Sequence, residues 1–153
     1  MVTYISKEQY DKLKEELKYL ETKARKEIAE RIKNAIEMGD ISENAEYDIA
    51  ITEKENLERK IAEIKHVLNT AKIIRDLKTH DRILPGKKFD VIEKGTNNKN
   101  TFTLVGYGES NPSEGKISTD SPLGKAFLNK KVNDEVIVKV PKGEIIYIIK
   151  KIY

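Results

Sequence analysis

Two carboxylates three residues apart, Asp40 and Glu43, lie in a short segment, residues 38–48, that interrupts a long charged helical pattern. Carboxylate oxygens on a tight turn can bind a hard cation such as Mg²⁺, which commonly takes one or two protein carboxylates and keeps its remaining waters. Two carboxylates alone bind weakly, so such a site needs a partner to complete it. Equally, Asp40 as N-cap and Glu43 as the third helical residue would form a capping box. The spacing leaves both interpretations open.

The segment around these two residues is acidic. Residues 34–53 contain no Lys or Arg. Their acids are Glu37, Asp40, Glu43, Glu46, Asp48 and Glu53. The apolar or aromatic side chains that we expect to be exposed beside them are Met38, Ile41 and Tyr47. Because the acids exceed what helix capping needs, the combination favours a functional role for the segment.

Other sequence signals for a catalytic or metal site are weaker. The chain has no cysteine, and its two histidines, His66 and His80, have no matched third ligand, which is more typical of surface histidines than of a zinc site. The G-x-G at residues 106–108 lacks both the third glycine and the βαβ setting of a dinucleotide site. Since neither histidine lies in a motif, no Ser, His and Asp arrangement indicates nucleophilic catalysis.

Composition and charge suit a soluble protein of the reducing cytosol. The chain has 153 residues and a formal net charge of +3, which fits one or two small domains. Residues 1–76 are slightly acidic and residues 77–153 clearly basic, so we expect two domains of opposite charge. The N-terminus has no apolar signal region, and no stretch approaches the roughly 18 apolar residues of a membrane span. We therefore expect a cytoplasmic protein with no membrane partner.

Residues 1–76 are predicted to form a long antiparallel coiled-coil hairpin. A capping box of Ser6 and Gln9 should start the first helix at about Lys7, and Gly39 should end it in a left-handed conformation. The predicted seam of the first helix is Tyr10, Leu13, Leu17, Leu20, Ala24, Ile28, Ile32 and Ala35. The predicted seam of the second helix is Leu57, Ile61, Ile64, Leu68 and Ala71. A helix of roughly 32 residues at about 1.5 Å rise gives a rod on the order of 45 Å long, with the acidic segment at its end.

A linker at residues 77–84 is predicted to lead into a small α+β domain at residues 85–153. The predicted strands are 87–93, 101–107, 115–119, 134–140 and 144–152, with a turn across Pro141, Lys142 and Gly143. A short helix at about 122–129 should have Ser121 as its N-cap and Pro122 as its first residue. The predicted core is Phe89, Phe102, Phe127, Val136, Val138, Val140, Ile146 and Ile148.

Two separate motifs resemble one protein family. Residues 39–48, GDISENAEYD, lie between two long helices, and residues 117–136, ISTDSPLGKAFLNKKVNDEV, precede a closing PKGE at 141–144. In this order and at this separation they look like the Gre family of bacterial transcription elongation factors, over essentially the whole chain. The resemblance implies an N-terminal antiparallel coiled coil and a C-terminal FKBP-like domain, which is the α+β architecture that the residue patterns predict.

The resemblance also implies a mode of action. The FKBP-like domain would bind bacterial RNA polymerase at the mouth of its secondary channel, and the coiled coil would enter toward the active centre. There Asp40 and Glu43 would help to hold a catalytic Mg²⁺ shared with polymerase and orient the attacking water. The 3′ end of a backtracked nascent RNA would be cleaved, which releases the arrested complex. The factor would have no turnover of its own, contact DNA only indirectly, bind no Mg²⁺ when free and be a monomer.

Further residues are assigned by the same resemblance. Those expected to shape the tip of the hairpin, residues 38–48, without a chemical step are Asn44, Glu46 and Tyr47. Those that match the segment implicated in polymerase binding are Asp120, Ser121 and Pro122.

Two positions beside the tip differ in residue type from those of some family members. Positions beside the tip that carry basic residues in some members, where they are thought to guide the extruded RNA, are here Ile36 and Ile51. Lys33 and Lys54 are the nearest substitutes. This departure favours a factor that acts on short backtracked transcripts.

Two alternative functions remain to be separated from transcript cleavage. A related protein could occupy the channel and inhibit polymerase without cleavage, although intact Asp40 and Glu43 argue against this. Prolyl isomerisation by the FKBP-like domain would need an apolar, aromatic-lined pocket, and the chain has no Trp and three Phe with which to build one.

Overall fold

The computed structural model describes residues 1–39, 44–76 and 78–153 of the chain. Its helices are α1 (Lys7–Tyr19), α2 (Arg25–Glu37), α3 (Ala45–Thr70) and α4 (Pro122–Phe127). Its strands are β1 (Thr3–Ile5), β2 (Ala71–Ile73), β3 (Lys88–Glu93), β4 (Lys99–Val105), β5 (Lys116–Ser118), β6 (Glu135–Val140) and β7 (Gly143–Ile152). A π-helical turn, Leu20–Ala24, joins α1 to α2, and a 3₁₀ turn spans Pro112–Glu114. The predicted class, a helical hairpin followed by a small α+β domain, is confirmed.

The chain divides into two compact units. The helical unit is Tyr10–Thr70, and the sheet unit combines Met1–Gln9 with Ala71–Tyr153. Both ends of the predicted hairpin domain therefore belong to the sheet unit, where β1 and β2 pair in parallel. Gly106 lets β1 approach closely, since a Cβ at this position would lie 2.7 Å from the carbonyl oxygen of Tyr4. This local sheet could not be inferred from the helical pattern that flanks it.

The first helix begins at Lys7, as the capping signal predicts. The hydroxyl oxygen of Ser6 accepts a hydrogen bond from the backbone N–H of Gln9 at 3.1 Å, which is the expected N-cap contact. The same hydroxyl donates to a carboxylate oxygen of Glu109 at 2.6 Å. At the far end, α2 stops at Glu37, and Gly39 has the predicted positive φ, +127°.

The predicted seams of the hairpin form a buried cluster. Its members are Ile28, Leu57 and Ile61, with Leu17, Leu20, Ala24 and Ile32 partly buried against them. From Leu20 to Ile32 the seam residues are spaced four apart, which drifts around an α-helix of 3.6 residues per turn. The π-helical turn begins at Leu20, and because it contains more residues per turn than an α-helix, it offsets this drift.

Two seam residues of the second helix were predicted wrongly. Ala71 belongs to β2, because α3 ends at Thr70. Val67 is buried and the predicted Leu68 is only half-buried. Both errors lie at the C-terminal end of α3, where the packing partner of the helix can no longer be read from a heptad spacing. With 26 residues, α3 is about 39 Å long.

The sheet unit is built on a five-stranded sheet in the order β5-β4-β3-β7-β6. The two predicted hairpins, β3 with β4 and β6 with β7, are antiparallel as expected. Strand β5 lies parallel to β4. Four aromatic rings pack together on the inner face of this sheet, with ring centroids 4.9 to 6.1 Å apart. They belong to Phe89, Phe102 and Tyr147 of the strands and to Phe127 of α4. These rings form the centre of the core.

The core prediction was wrong along β7. Tyr147 and Ile149 are buried in the core, whereas the predicted Ile146 and Ile148 are half-buried on the opposite face. Residues 145–149 are all apolar or aromatic, so no polar alternation in the sequence fixes which face is inward. The observed face is the one that brings Tyr147 onto the other aromatic rings.

Candidate functional site

The two predicted catalytic acids, Asp40 and Glu43, lie outside the described residues. The chain is described up to Gly39 and again from Asn44. The second long helix begins later than predicted, at Ala45, and its N-cap is Asn44. The metal role of the two acids therefore stays a prediction, and the structure describes the framework on either side of them.

Asn44 connects the ends of the two long helices. Its side-chain oxygen accepts hydrogen bonds from the backbone N–H groups of Glu46 at 3.1 Å and Tyr47 at 3.3 Å, which caps α3. Its side-chain nitrogen donates to the carbonyl oxygen of Ala35 in the last turns of α2 at 2.6 Å. One amide thus caps the start of α3 and adds a second hydrogen bond to the Ala35 carbonyl, which also accepts from the backbone N–H of Met38.

Apolar side chains at the tip are exposed. Met38 is 73% exposed, as predicted, and Ile49 is 53% exposed, a residue that the sequence reasoning did not single out. A cavity of about 220 Å³ lies between them and Ala35. Tyr47 is half-buried rather than exposed, and its backbone N–H donates to the side-chain oxygen of Asn44 in the first turn of α3. Glu46 is exposed in that same turn.

The charges around the tip are partly compensated. Glu53 forms an ion pair with Arg31 of α2, so this acid contributes less to the negative field than the sequence indicates. Ile36, at one of the positions that are basic in some Gre proteins, is 47% exposed, and Ile51 is half-buried. The possible substitutes Lys33 and Lys54 are exposed. In the described ranges, no group of three or more His, Cys, Asp or Glu side chains could hold a metal ion.

The segment predicted to bind polymerase, residues 120–122, forms the turn that leads into α4 and the first residue of that helix. The hydroxyl of Ser121 caps this helix by accepting from the N–H of Gly124 at 3.0 Å, as predicted, and it donates to the carbonyl oxygen of Ser118 at 2.7 Å. Asp120 and Pro122 are exposed. The turn therefore presents a carboxylate and a proline ring on a fixed backbone, while their role in binding stays a prediction.

A carboxylate that the sequence reasoning missed is buried in the sheet unit. Asp90 accepts hydrogen bonds from the hydroxyls of Thr101 at 2.7 Å and Tyr153 at 2.9 Å. The Thr101 bond is the main cause that lowers the pKa of Asp90, against the opposing effect of burial. The bond to Asp90 in turn raises the pKa of Tyr153. The partners lie 11 and 63 residues away in sequence, so no local motif indicates the cluster.

Two family profiles together match nearly the whole chain. Residues 3–73 match the family profile "Transcription elongation factor, N-terminal", and residues 78–153 match "Transcription elongation factor, GreA/GreB, C-term". The chain belongs to the GreA/GreB family of transcription elongation factors. The resemblance inferred from the two sequence motifs is thereby confirmed.

Individual relatives of the GreA/GreB family agree with the profiles. The chain is 43% identical to transcription elongation factor GreA of Nautilia profundicola over 144 residues, which cover 94% of this chain and 89% of the relative. It is also 43% identical to GreA of Bacillus subtilis over 141 residues, 92% of this chain and 90% of the relative. The crystal structure of GreA factor homolog 1 of Thermus thermophilus aligns over 100% of this chain and 99% of that one, with 22% identity and a TM-score of 0.46. Within the described ranges, no helix is long and apolar enough to cross a membrane.

Proposed function

We propose that the protein stimulates RNA polymerase to cleave the 3′ end of backtracked nascent RNA, and that it has no catalytic turnover of its own. The observation that supports this most directly is the Asn44 bridge at the tip. It ties the end of α2 to the start of α3, and the sequence places Asp40 and Glu43 in the four residues between Gly39 and Asn44. A short connection between two anchored helices is suited to carrying carboxylates into the reaction centre of another protein.

Each part of the chain would then have a distinct task. Asp40 and Glu43 would supply carboxylate oxygens to a cation and hold the attacking water by hydrogen bonds. The cation would be the polymerase's own Mg²⁺, which would supply activation of water and neutralisation of the charge that develops at phosphorus. Asn44 would set the position of the tip, and Asp120, Ser121 and Pro122 would contact polymerase at the mouth of its secondary channel. One copy per polymerase is sufficient, and such a partner places the protein in the cytoplasm.

Two of the three phenylalanines of the sheet unit do not favour prolyl isomerisation, and the third, Phe102, lines a cavity of about 260 Å³ with Ile117 and Leu123. Phe89 and Phe127 are fully buried, and their ring centroids are 4.9 Å apart. These rings fill the core, so they do not line an open pocket for a substrate proline. Transcript cleavage therefore accounts for more of the chain's features than an independent enzymatic activity does.

A cleavage assay on stalled elongation complexes tests the proposal. Asp40→Asn and Glu43→Gln remove negative charge while leaving side chains of similar shape. We expect each variant to bind polymerase as the wild type does and to reduce the rate of RNA cleavage by about 100-fold or more, because orientation of the attacking water is lost. Glu37→Gln, an exposed acid in the last turn of α2, is the matched control and should keep full activity.

Each alternative has a distinct result in this assay. Full cleavage by either Asp40→Asn or Glu43→Gln would contradict the metal role of that residue. If the wild-type protein binds polymerase and blocks nucleotide addition without releasing RNA fragments, the protein is an inhibitor of the channel. Polymerase binding, measured separately by competition with labelled protein, distinguishes a failed cleavage step from failed docking.

A further inference from the structure

Strand β6 lies at one edge of the five-stranded sheet. Within the described ranges it has β7 on one side and no strand on the other. The backbone N–H and C=O groups on the open side of an edge strand can pair with a strand of another molecule. The open edge of β6 is therefore a surface to which a strand of another molecule could bind.

The two faces of β6 differ in their surroundings. On the inner face, Val136 is 2% exposed and Val138 packs against the core. On the outer face, Ile137 is 57% exposed and lies opposite the half-buried Ile146 of β7. An exposed isoleucine beside an open strand edge is apolar surface that a second strand would remove from water.

The order of residues in β6 is complementary to itself. In an antiparallel pair with a two-fold axis at Ile137, each Val136 lies opposite Val138 of the second copy. The same register places Glu135 opposite Lys139 of the second copy, twice by symmetry, and opposite charges directly across a strand pair are favourable. A shift by two residues in either direction would instead place Ile137 opposite Glu135 or Lys139. The sequence thus selects a single register.

Neighbouring charges extend this complementarity. Lys139 lies opposite Glu144 of β7, and a carboxylate oxygen of Glu135 lies 3.0 Å from the Nζ atom of Lys94. Across the junction the charges would alternate in the order Glu144, Lys139, then Glu135 and Lys94 of the second copy. This alternation favours a second copy of the same chain over a strand of unrelated sequence.

We propose that β6 pairs antiparallel with β6 of a second copy of this chain, around a two-fold axis at Ile137, in a reversible dimer. The interface consists of one strand and few side chains, so we expect dimers only at high protein concentration. The pairing uses neither the hairpin tip nor the turn before α4, and it is independent of the proposed cleavage function. It goes beyond the monomer that the sequence alone led us to expect, because the position of β6 at a sheet edge is known only from the strand order.

Exchange of the two charges tests the register. Sedimentation equilibrium over a range of concentrations of the full chain measures the dimer dissociation constant. Glu135→Lys or Lys139→Glu places like charges opposite each other at both symmetric positions, so each variant alone should dimerise about tenfold more weakly. An equimolar mixture of the two variants restores both opposite-charge pairs and should associate as the wild type does.

Two further variants test the surface itself. Ile137→Lys should abolish association, because it places two lysines at the two-fold axis. Val132→Lys, an exposed apolar position outside β6, is the matched control and should leave association unchanged. Circular dichroism of each variant verifies that the sheet is retained, which is expected because all the substituted side chains are exposed.

Three results would overturn the proposed dimer. The first is a wild-type chain that stays monomeric at all concentrations. The second is a dimer that does not respond to the variants as the register requires: Val132→Lys and Glu135→Lys weaken it equally, or the mixture of charge variants fails to restore it. The third is protection of the β6 amides from hydrogen exchange only when polymerase is added, which would assign the edge to that partner.

Discussion

The hairpin tip and the turn before α4 hold their predicted site residues by different physical means. At the tip, the side chain of Asn44 caps α3 with two hydrogen bonds and donates a third to Ala35 of α2. In the turn, the position of Ser121 follows from tight backbone packing, in which Gly124 lies directly on the carbonyl group of Ser118. The contacts of Asn44 are therefore confined to the ends of two helices, whereas the turn before α4 is held against the end of β5 by the buried Gly124. Substitutions should affect stability less at the tip than at the turn.

Gly124→Ala should have the largest effect. A Cβ at this position would lie 1.9 Å from the carbonyl oxygen of Ser118, so α4 must move away from β5. We expect the free energy of unfolding of the sheet unit to fall by about 3 kcal/mol, at the upper end of overpacking effects. Urea unfolding followed by circular dichroism, with hydrogen exchange to locate the loss, measures the change.

Lys125→Ala is the matched control for this substitution. Lys125 is exposed in the same helix, so its truncation should change the free energy of unfolding by no more than about 0.5 kcal/mol. If Gly124→Ala proved as mild as this control, the turn would not depend on tight packing and the contrast with the tip would fail.

Asn44→Ala should have an intermediate effect, confined to the helical unit. Loss of the α3 cap should cost about 1 kcal/mol, and loss of the hydrogen bond to Ala35 should add to this. Asn44→Ser retains an oxygen that can cap α3 but lacks the amide NH₂ group that donates to Ala35, so it should be milder than Asn44→Ala. Hydrogen exchange of the amides in the first turn of α3 measures the opening of the tip directly.

The control for the tip is Asn69→Ala, at an exposed position near the other end of α3. It should leave exchange in the first turn of α3 unchanged. If Asn44→Ser opened the first turn of α3 no more than the wild type does, the bond to Ala35 would contribute nothing, and the two helix ends would then be held by the seam alone.

The sequence predictions were correct where the deciding contact is between residues close in sequence, and they failed where it is between residues far apart. Ser6 and Ser121 were predicted correctly as caps because each contacts a backbone N–H only three residues away. The helix start at Ala45 was missed because the local signal at Asp40 resembles that of Asn44, and the decisive bond to Ala35 crosses the tip. The residue pattern within one helix cannot distinguish between two possible N-cap residues such as Asp40 and Asn44.

The errors in the sheet unit have a related cause. Ile146 and Ile148 could not be told from their inward neighbours because that stretch has no polar residues to mark a face. The inward face depends instead on where the aromatic rings from other strands and α4 meet. The buried Asp90 was missed for the same reason, since both of its hydrogen-bond donors come from other strands or from the chain end.

The smallest expected effect is the influence of salt on the pKa values of two carboxylates, both of which are lowered but in different surroundings. Asp90 is buried in the sheet unit, and Thr101 is the main cause of its lowered pKa. Glu58 is exposed on α3, and its hydrogen bonds to Arg25 at 2.9 Å are the main cause of its lowered pKa. Ions screen exposed charges more than buried ones. Raising the salt concentration should therefore return the pKa of Glu58 toward its ordinary value more than that of Asp90, which NMR titration of the carboxyl carbons measures.

The direction in which folding stability changes with pH follows from the lowered pKa of Asp90. Because its pKa is lower in the folded state than in the unfolded chain, ionised Asp90 stabilises the protein above its ordinary pKa, and this contribution is lost as the pH falls through the folded value. Asp90→Asn should therefore flatten the acid limb of the stability curve. Thr101→Val should raise the pKa of Asp90 more than Tyr153→Phe does, because the Thr101 bond is the larger cause. If Tyr153→Phe had the greater effect, the carboxylate would be held chiefly by the chain end rather than by the neighbouring strand.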